Sequence, residues 1–350
     1  MAYHDGLIRE RVAFLGQPAD KLEAVRGQQL YDTLQALGLT HRHYFQALGV
    51  NVQDYCAREF GIDVGRITVE RFFQSDPNAK WLFPDIVREA VLEGLRRKPV
   101  YPELIVRDES INGTAYDLPY VNENEDEEEL RKVAEGAAIP ESEITYGDRI
   151  VRLDKLGRGV IASYEVVRRM SVDMLRVHLR RIGERLGRAL DARLAAVLVS
   201  GDSSGAGTAP VAINTATSDA WAYGDLVTGF LALTVGHYFT PTHMLADPDT
   251  SAAILNLDEI KESQWFDFAK TGNLPTPLGV KLVPMADHPA KKLTILDAGY
   301  AVQKLTEQDL LVESDKLINQ QWDRTYLTVV TDFAILYDKA RIVLNSDWSE

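Results

Sequence analysis

The chain has 350 residues, of which 45% are apolar and 26% charged, and its formal net charge is −14 at pH 7. This composition supports a sizeable hydrophobic core, and the length favours two or three structural units. The excess of carboxylates argues against a surface that grips nucleic-acid phosphates, because such a surface needs clustered Lys and Arg.

The cysteine content and the first residues of the chain indicate the cellular compartment in which the protein is expected. The single cysteine, Cys56, excludes an intramolecular disulfide framework and a cysteine-rich zinc site. The first residues carry Asp5 and Glu10 without an apolar run, so no signal peptide is predicted. The longest apolar runs, such as 194–199, are shorter than the roughly 20 residues that span a bilayer. We therefore expect a soluble protein of a reducing compartment, with no membrane partner.

The first part of the chain, to about residue 66, is predicted to be helical. Leu30, Leu34 and Leu37 recur at helical spacing, with Gly and Pro marking the breaks. A further helix is predicted from about Pro84, since Pro is tolerated in a first helical turn. From residue 101 the pattern changes to short extended pieces at 103–107, 144–153 and 159–164, with a turn at 154–158.

The strongest helix is predicted over 171–199. Ser171 is its expected N-cap, and leucines at spacings of three and four form one apolar stripe beside an arginine-rich face. At 1.5 Å per residue the helix would be about 40 Å long. It ends in the helix-breaking sequence Gly-Asp-Ser-Ser-Gly at 201–205.

The rest of the chain is predicted to be α+β. Residues 208–305 indicate helices at 224–235 and 250–257 and strands at 244–246, 280–283 and 293–296. The last part alternates apolar and polar residues, which predicts long antiparallel strands at 310–318, 326–330 and 334–344.

Two motifs bear on possible chemistry. The Gly-Asp-Ser-Ser-Gly sequence is similar to the nucleophile loop of trypsin-like proteases, which makes Ser203 and Ser204 candidate nucleophiles. Those enzymes need a β-barrel with His and Asp earlier in the chain, whereas a long helix leads into this loop, so a helix-terminating turn is expected. His41 and His43, two apart in a predicted helix, point to different faces and predict no metal site. Without a phosphate-binding or dinucleotide-binding motif, no cofactor and no catalytic residue is predicted.

The order of the segments resembles that of tailed-bacteriophage major capsid proteins of the Hong Kong type. Residues 133–146 resemble that family's extended loop, 159–166 and 171–199 its strand and spine helix, and 198–202 its helix exit. Residues 244–248, 278–284 and 297–300 resemble segments of its axial domain, and the strands meeting at about 319–322 its peripheral hairpin. The resemblance covers about 78–345, and the first 66 residues match no known segment.

The resemblance implies an α+β fold of the Hong Kong phage type. Its expected parts are a helical N-terminal segment, an N-arm, an extended loop, a peripheral domain with the long spine helix, and an axial domain. Their predicted bounds are, in that order, 1–66, 67–113, 114–166, 167–207 with 306–332, and 208–305 with 333–350.

The resemblance further implies a virion protein, assembled in the host cytoplasm, that forms hexamers and pentamers with itself. The shell would enclose double-stranded DNA without sequence-specific binding, and scaffolding, portal and decoration proteins are candidates for further partners. Two alternatives stay open: an encapsulin-type nanocompartment shell, and a serine hydrolase built on Ser203 or Ser204.

An acidic run and the arginine-rich helix form a further constellation. They are either two solvated faces or complementary surfaces, and they complement each other across chains if the acidic segment lies on a projecting arm. The assembly interface predicted on this basis comprises Glu123, Glu125, Asp126, Glu127, Glu128, Glu129, Arg176, Arg180, Arg181 and Arg185.

One departure from the family concerns crosslinking. The type member joins its subunits through a Lys–Asn isopeptide bond, and the corresponding positions here hold Asp148 and Thr325. Asp332 stands in the place of the assisting Glu. Because Asp148 offers no amine and Thr325 no amide, no covalent crosslinking is expected.

Overall fold

The computed structural model describes residue 45 and the ranges 51–75, 82–96, 99–121, 144–205, 208–261, 277–317 and 322–348. The helices found there are α1 Val52–Phe60, α2 Val69–Ser75, α3 Phe83–Leu95, α4 Tyr101–Leu104, α5 Tyr164–Arg169, α6 Val172–Ser200, α7 Tyr223–Leu231 and α8 Pro248–Leu255. The strands are β1 Asp108–Ser110, β2 Ala115–Val121, β3 Ile144–Arg152, β4 Asp154–Ser163, β5 Val211–Asn214, β6 His243–Ala246, β7 Lys281–Pro284, β8 Lys292–Leu296, β9 Val302–Leu317, β10 Trp322–Ile335 and β11 Arg341–Asn345.

The chain divides into two units. The first comprises Met1–Lys98, Gly157–Gly187 and Leu310–Val329, and the second Pro99–Leu156, Arg188–Asp309 and Val330–Glu350. The arm, loop and domain boundaries predicted from the family resemblance divide the chain differently and stay a prediction.

In the first unit, helices α3 and α6 cross with their backbones in contact. A Cβ atom built on Gly94 would lie 1.9 Å from the carbonyl oxygen of Arg180, and one built on Gly183 would lie 2.0 Å from that of Val91. Only glycine fits at both positions. Val87, Val91 and Leu179 are buried beside the crossing, so the apolar stripe predicted for α6 meets apolar side chains of α3 there.

The start of α6 is capped as predicted. The Ser171 hydroxyl accepts a hydrogen bond from the backbone N–H of Met174 at 3.2 Å, which satisfies one of the unpaired donors of the first helical turn. The 29 residues of α6 make it about 43 Å long, close to the expected length.

The second unit contains a mixed five-stranded sheet in the order β5-β11-β8-β6-β7. Strand β11 runs parallel to β5 and antiparallel to β8, and β6 runs antiparallel to β8 and parallel to β7. Leu226 of α7 and Ile254 of α8 are fully buried in the same apolar cluster as Ile295 and Leu344 of the sheet. The helices and strands predicted for 224–296 are therefore confirmed, with bounds shifted by a few residues.

A second sheet has the order β1-β9-β10-β4, and β2 pairs with β3 alone. Only four residues separate the end of β9 from the start of β10, which is too short a link for strands of this length to run parallel, so the pair is antiparallel. This agrees with the hairpin implied by the resemblance, although its turn lies outside the described residues.

Four sequence predictions were wrong in detail. The strand predicted at 103–107 is replaced by the short helix α4 and an irregular segment. The turn predicted at 154–158 is part of strand β4, which ends at Ser163 rather than at 166, because the Ser163 hydroxyl caps α5. The strand predicted at 334–344 is split between β10 and β11 by a 3₁₀ turn over Asp338–Ala340.

The glycines in β4 explain the wrong turn prediction. A Cβ atom on Gly157 would lie 3.3 Å from the carbonyl oxygen of Leu327, and one on Gly159 would lie 3.0 Å from the ring of Tyr326. The glycines therefore allow a close approach to β10 rather than a reversal of the chain.

Candidate assembly interface

The loop that follows α6 is a structural turn. Gly201 has a φ of 92°, a conformation that favours glycine, and it ends the helix. The Ser203 hydroxyl accepts from the backbone N–H of Arg152 at 2.9 Å and donates to the Arg152 carbonyl at 3.2 Å. The Ser204 hydroxyl donates to Asp202. Both candidate nucleophiles are thus engaged in local hydrogen bonds, and the predicted helix-terminating turn is confirmed.

Ser203 also holds the end of the β2–β3 pair at which Arg152 lies, through its two hydrogen bonds to the Arg152 backbone. The two strands are antiparallel, with Ala115 opposite Arg152 and Val121 opposite Ile144. Leu118 of β2 and Val151 of β3 are almost fully buried in one apolar cluster with Leu305 of β9. The acidic residues of the predicted interface, Glu123 to Glu129, lie in the segment that joins these strands, outside the described residues.

The four arginines of the predicted interface fall into two pairs. Arg176 and Arg180 share the carboxylate of Glu93 on α3, with nearest nitrogen-to-oxygen distances of 3.4 Å and 3.0 Å. Arg181 pairs with Glu184 of its own helix at 2.7 Å, and its side chain is 65% exposed. Arg185 is also exposed. Arg181 and Arg185 are therefore presented to solvent, whereas Arg176 and Arg180 hold α6 to α3.

The shared ion pair borders a polar cavity of about 660 Å³ within the first unit. Glu89, Glu93 and Arg96 of α3 line it together with Arg176 and Arg180 of α6. Glu93 could not be recognised from the sequence as a partner of Arg176 and Arg180, because it lies 83 and 87 residues before them in the chain. The charged residues on α3 gave no sign of which element they would face.

The exposed face of α6 combines apolar and basic side chains. Met174 and Val177 are 52% and 47% exposed, and Arg181 and Arg185 follow at intervals of four residues. Residues three and four apart lie on one side of a helix, so these four side chains form a single stripe, here named the α6 stripe. Such a stripe suits a partner that carries both carboxylates and some apolar surface.

A buried ion pair holds the other end of α6. Arg193 donates from Nε and Nη2 to the two carboxylate oxygens of Asp332, at 2.9 Å and 2.8 Å. The Asp332 side chain is fully buried, and Asp154 lies 3.3 Å from the same guanidinium. The hydrogen bonds that Arg193 donates to Asp332 raise the pKa of Arg193 further above its usual value. Asp332, which the resemblance predicts to take the place of the assisting Glu, is thus engaged in an ion pair with Arg193.

The described part of the chain offers neither a metal-binding cluster nor a membrane-spanning helix. No group of three or more His, Cys, Asp or Glu residues is placed there to hold a metal ion. Over the same residues, no helix is long and apolar enough to cross a membrane. His41 and His43 lie outside the described residues.

The fold is that of the Hong Kong-type phage capsid proteins, and three solved structures share it. The capsid of an empty GTA particle is 16% identical, covers 70% of this chain and 88% of its own, and has a TM-score of 0.54. A structure of Mycobacterium phage Che8 is 12% identical to this chain, and the match has a TM-score of 0.52. It covers 71% of this chain and 92% of the phage chain. The protein of a virus-like particle from Pyrococcus furiosus is 13% identical to this chain, and the match has a TM-score of 0.51. It covers 75% of this chain and 98% of the particle protein.

Family membership rests on the sequence itself. The model of a family described as phage capsid protein matches residues 146–343, more than half of the chain. The chain belongs to this phage capsid protein family and is a structural protein of a capsid shell. No sequence among the curated proteins matches it.

Proposed function

We propose that the chain assembles with itself, as hexamers and pentamers, into an icosahedral shell that encloses the double-stranded DNA of a tailed phage. The observation that carries the proposal is the family match, which spans β3, α6 and most of both larger sheets. The net charge of −14 fits a shell that contains DNA without binding it, because a basic lumen would retain phosphates.

The proposed molecule is a component of the virion and is assembled in the host cytoplasm, with scaffolding, portal and decoration proteins as further partners. Its proposed parts are the segments 1–66 and 67–113, the extended loop 114–166, the peripheral domain 167–207 with 306–332, and the axial domain 208–305 with 333–350. The β2–β3 pair supports the loop assignment, since it leaves 22 residues between its two strands.

Electron microscopy of the purified full-length chain tests the proposal. We expect uniform hollow particles or hexamer-sized capsomers when the chain is expressed alone or with the scaffolding protein of its own genome. A chain that remains monomeric or dimeric under both conditions contradicts the proposal.

The same preparation separates the alternatives. Nuclease-resistant double-stranded DNA in particles from the natural host supports a phage capsid, whereas a packaged enzyme supports an encapsulin-type shell. Labelling of Ser203 or Ser204 by a fluorophosphonate probe would support a serine hydrolase. We expect no labelling, since the Ser203 hydroxyl is engaged by the Arg152 backbone.

Within this shell, we propose that the acidic run Glu123–Glu129 of one subunit faces the exposed arginines of α6 on its neighbour. The exposure of Arg181 and Arg185 supports their part in the contact, whereas Arg176 and Arg180 already share an ion pair with Glu93 of the same chain. Surface ion pairs contribute only about 0–1 kcal/mol each, so their value is in register and in rejecting wrong partners.

Reversing both exposed charges, Arg181→Glu with Arg185→Glu, is expected to lower the particle yield about tenfold, because carboxylates would then face carboxylates across the contact. The yield is measured by sizing chromatography and negative-stain microscopy. Arg66→Glu with Arg71→Glu is the matched control, since it changes the net charge equally and both side chains are exposed in the first unit. Normal yield from the variant at Arg181 and Arg185, with unchanged thermal stability, would rule out the contact.

We also expect particles without covalent crosslinks. Asp148 has no amine to act as nucleophile and Thr325 has no amide to accept one. Denaturing gels of mature particles should show the monomer alone, and peptide mass spectrometry should find no intersubunit isopeptide. Any ladder of multimers that resists reduction and boiling is the contrary result.

A further inference from the structure

An exposed apolar surface lies on the second unit, where α7 ends. Leu231, Val235, Tyr238 and Tyr300 are 50%, 63%, 80% and 52% exposed. These four residues are here named the tyrosine surface. Leu231 and Val235 are four residues apart on continuous helix and so share one side of it. The predicted interface residues do not include any of them.

The backbone at this surface is unusual. Helix α7 continues into a π-helical turn over Ala232–Gly236, a feature that is rare and often found at functional sites. Tyr238 follows with a φ of 59°, although a bulky side chain disfavours the left-handed region. The backbone N–H of Phe239 donates to the carbonyl of Leu233 at 3.1 Å and closes the turn. The turn therefore exposes Tyr238, the most exposed residue of the surface, although its backbone adopts an unfavourable left-handed conformation.

A cluster of three rings supports the surface from within the same unit. Phe239 lies 5.6 Å from Tyr300 and 6.1 Å from Tyr337, measured between ring centroids, and the two tyrosines lie 6.0 Å apart. Rings at these distances and tilts attract one another through their quadrupoles. Tyr300 of the surface is thus held by two neighbouring rings, one of which, Phe239, directly follows Tyr238 in the chain.

The sequence around the surface is depleted of charge. Between residues 220 and 242 the only Asp, Glu, Lys or Arg is Asp225, in a chain of which 26% are such residues. Asp225 is itself buried, and it accepts hydrogen bonds from the backbone N–H groups of Ala216 and Ala222. Aromatic enrichment with depletion of charge is the composition of the buried core of a protein–protein interface.

We propose that the tyrosine surface is a contact between copies of this chain, buried when the shell forms. Each copy carries a net charge of −14, so a contact between two copies is favoured where the surface either lacks charge or offers complementary charges. The tyrosine surface meets that condition, and its exposed tyrosines are of the kind that anchors interfaces. The inference rests on the proposed self-assembly and adds the residues that make this contact.

Thiol labelling of the full-length chain tests the proposal. Tyr238→Cys places a reporter in the surface, and Ala253→Cys, at an exposed position of α8, is the matched control. The natural Cys56 is fully buried and burial raises its pKa to about 12, so it adds no background. In assembled particles we expect labelling at position 238 to slow about tenfold relative to unassembled subunits, since an interface core excludes solvent, while position 253 labels equally in both.

The outcomes separate this proposal from the proposed function. If position 238 is labelled as fast in particles as in free subunits, the proposed contact is wrong. The proposed function would still stand, because the particles formed. Failure of the unsubstituted chain to assemble would overturn the proposed function, and the contact with it. A charged variant gives a second measurement: Val235→Lys should lower particle yield about tenfold, and Ala253→Lys should not. Equal yields would count against the contact.

Discussion

Replacing Asp332 with alanine is expected to lower the free energy of unfolding by about 1.5–3 kcal/mol. The Arg193 guanidinium would lose both hydrogen bonds to a carboxylate that is fully buried. Asp332 also accepts from the backbone N–H of Phe333 at 2.8 Å, so a buried donor would be left unpaired as well. Chemical denaturation followed by circular dichroism measures the change.

A paired variant separates the loss of the ion pair from the cost of leaving one charge alone. Replacing both partners, Asp332→Leu with Arg193→Met, should cost less than Asp332→Ala, because the guanidinium that would keep only Asp154 as its partner is removed as well. A change below about 1 kcal/mol for Asp332→Ala would show that solvent already screens Arg193, whose side chain is 37% exposed.

Gly94→Ala is expected to destabilise the first unit by about 3 kcal/mol or more. The added methyl would lie 1.9 Å from the carbonyl oxygen of Arg180 and 2.7 Å from its carbonyl carbon. Because these are backbone atoms of a long helix, they cannot move aside as a side chain can. The two helices would have to separate, with loss of packing at Val91 and Leu179. Thermal unfolding measures the effect.

The matched control is Gly224→Ala in the first turn of α7. A Cβ atom there has no neighbour within 4 Å, and alanine is the better helix former by roughly 0.5–1 kcal/mol. The control should therefore be neutral or slightly stabilising. If both variants unfold at the same temperature as the unsubstituted chain, the close crossing of α3 and α6 is wrong.

Elements with strong local periodicity were predictable from the sequence. The leucine spacing and Ser171 located α6 to within one residue at each end, and the five-stranded sheet was found at β6, β7 and β8. Errors arose where the neighbouring strand decides the conformation. Gly157 and Gly159 have the composition of a turn, and only the nearby β10 shows why they lie in a strand. Strand β5 was missed, since its pairing with β11 spans more than 120 residues.

The sequence predicted which types of residue form the candidate interface but not which of its arginines are exposed. The arginine-rich helix was visible, but which arginines face solvent depends on Glu93 of α3, and no local pattern indicates that pairing. The tyrosine surface carried a signal that could have been used: a long stretch, 220–242, with a single charged residue. Its aromatic residues are typical of a buried core as well, so exposure had to come from the structure.

The division of the chain into two units has a consequence for how the protein can be taken apart. The chain passes from one unit to the other five times, after residues 98, 156, 187, 309 and 329. Four of these crossings fall inside β4, α6, β9 and β10 rather than in loops. A protease would have to cut within regular secondary structure to free either half. Neither unit is therefore a continuous stretch of chain, and truncation at either end cannot yield one unit without the other.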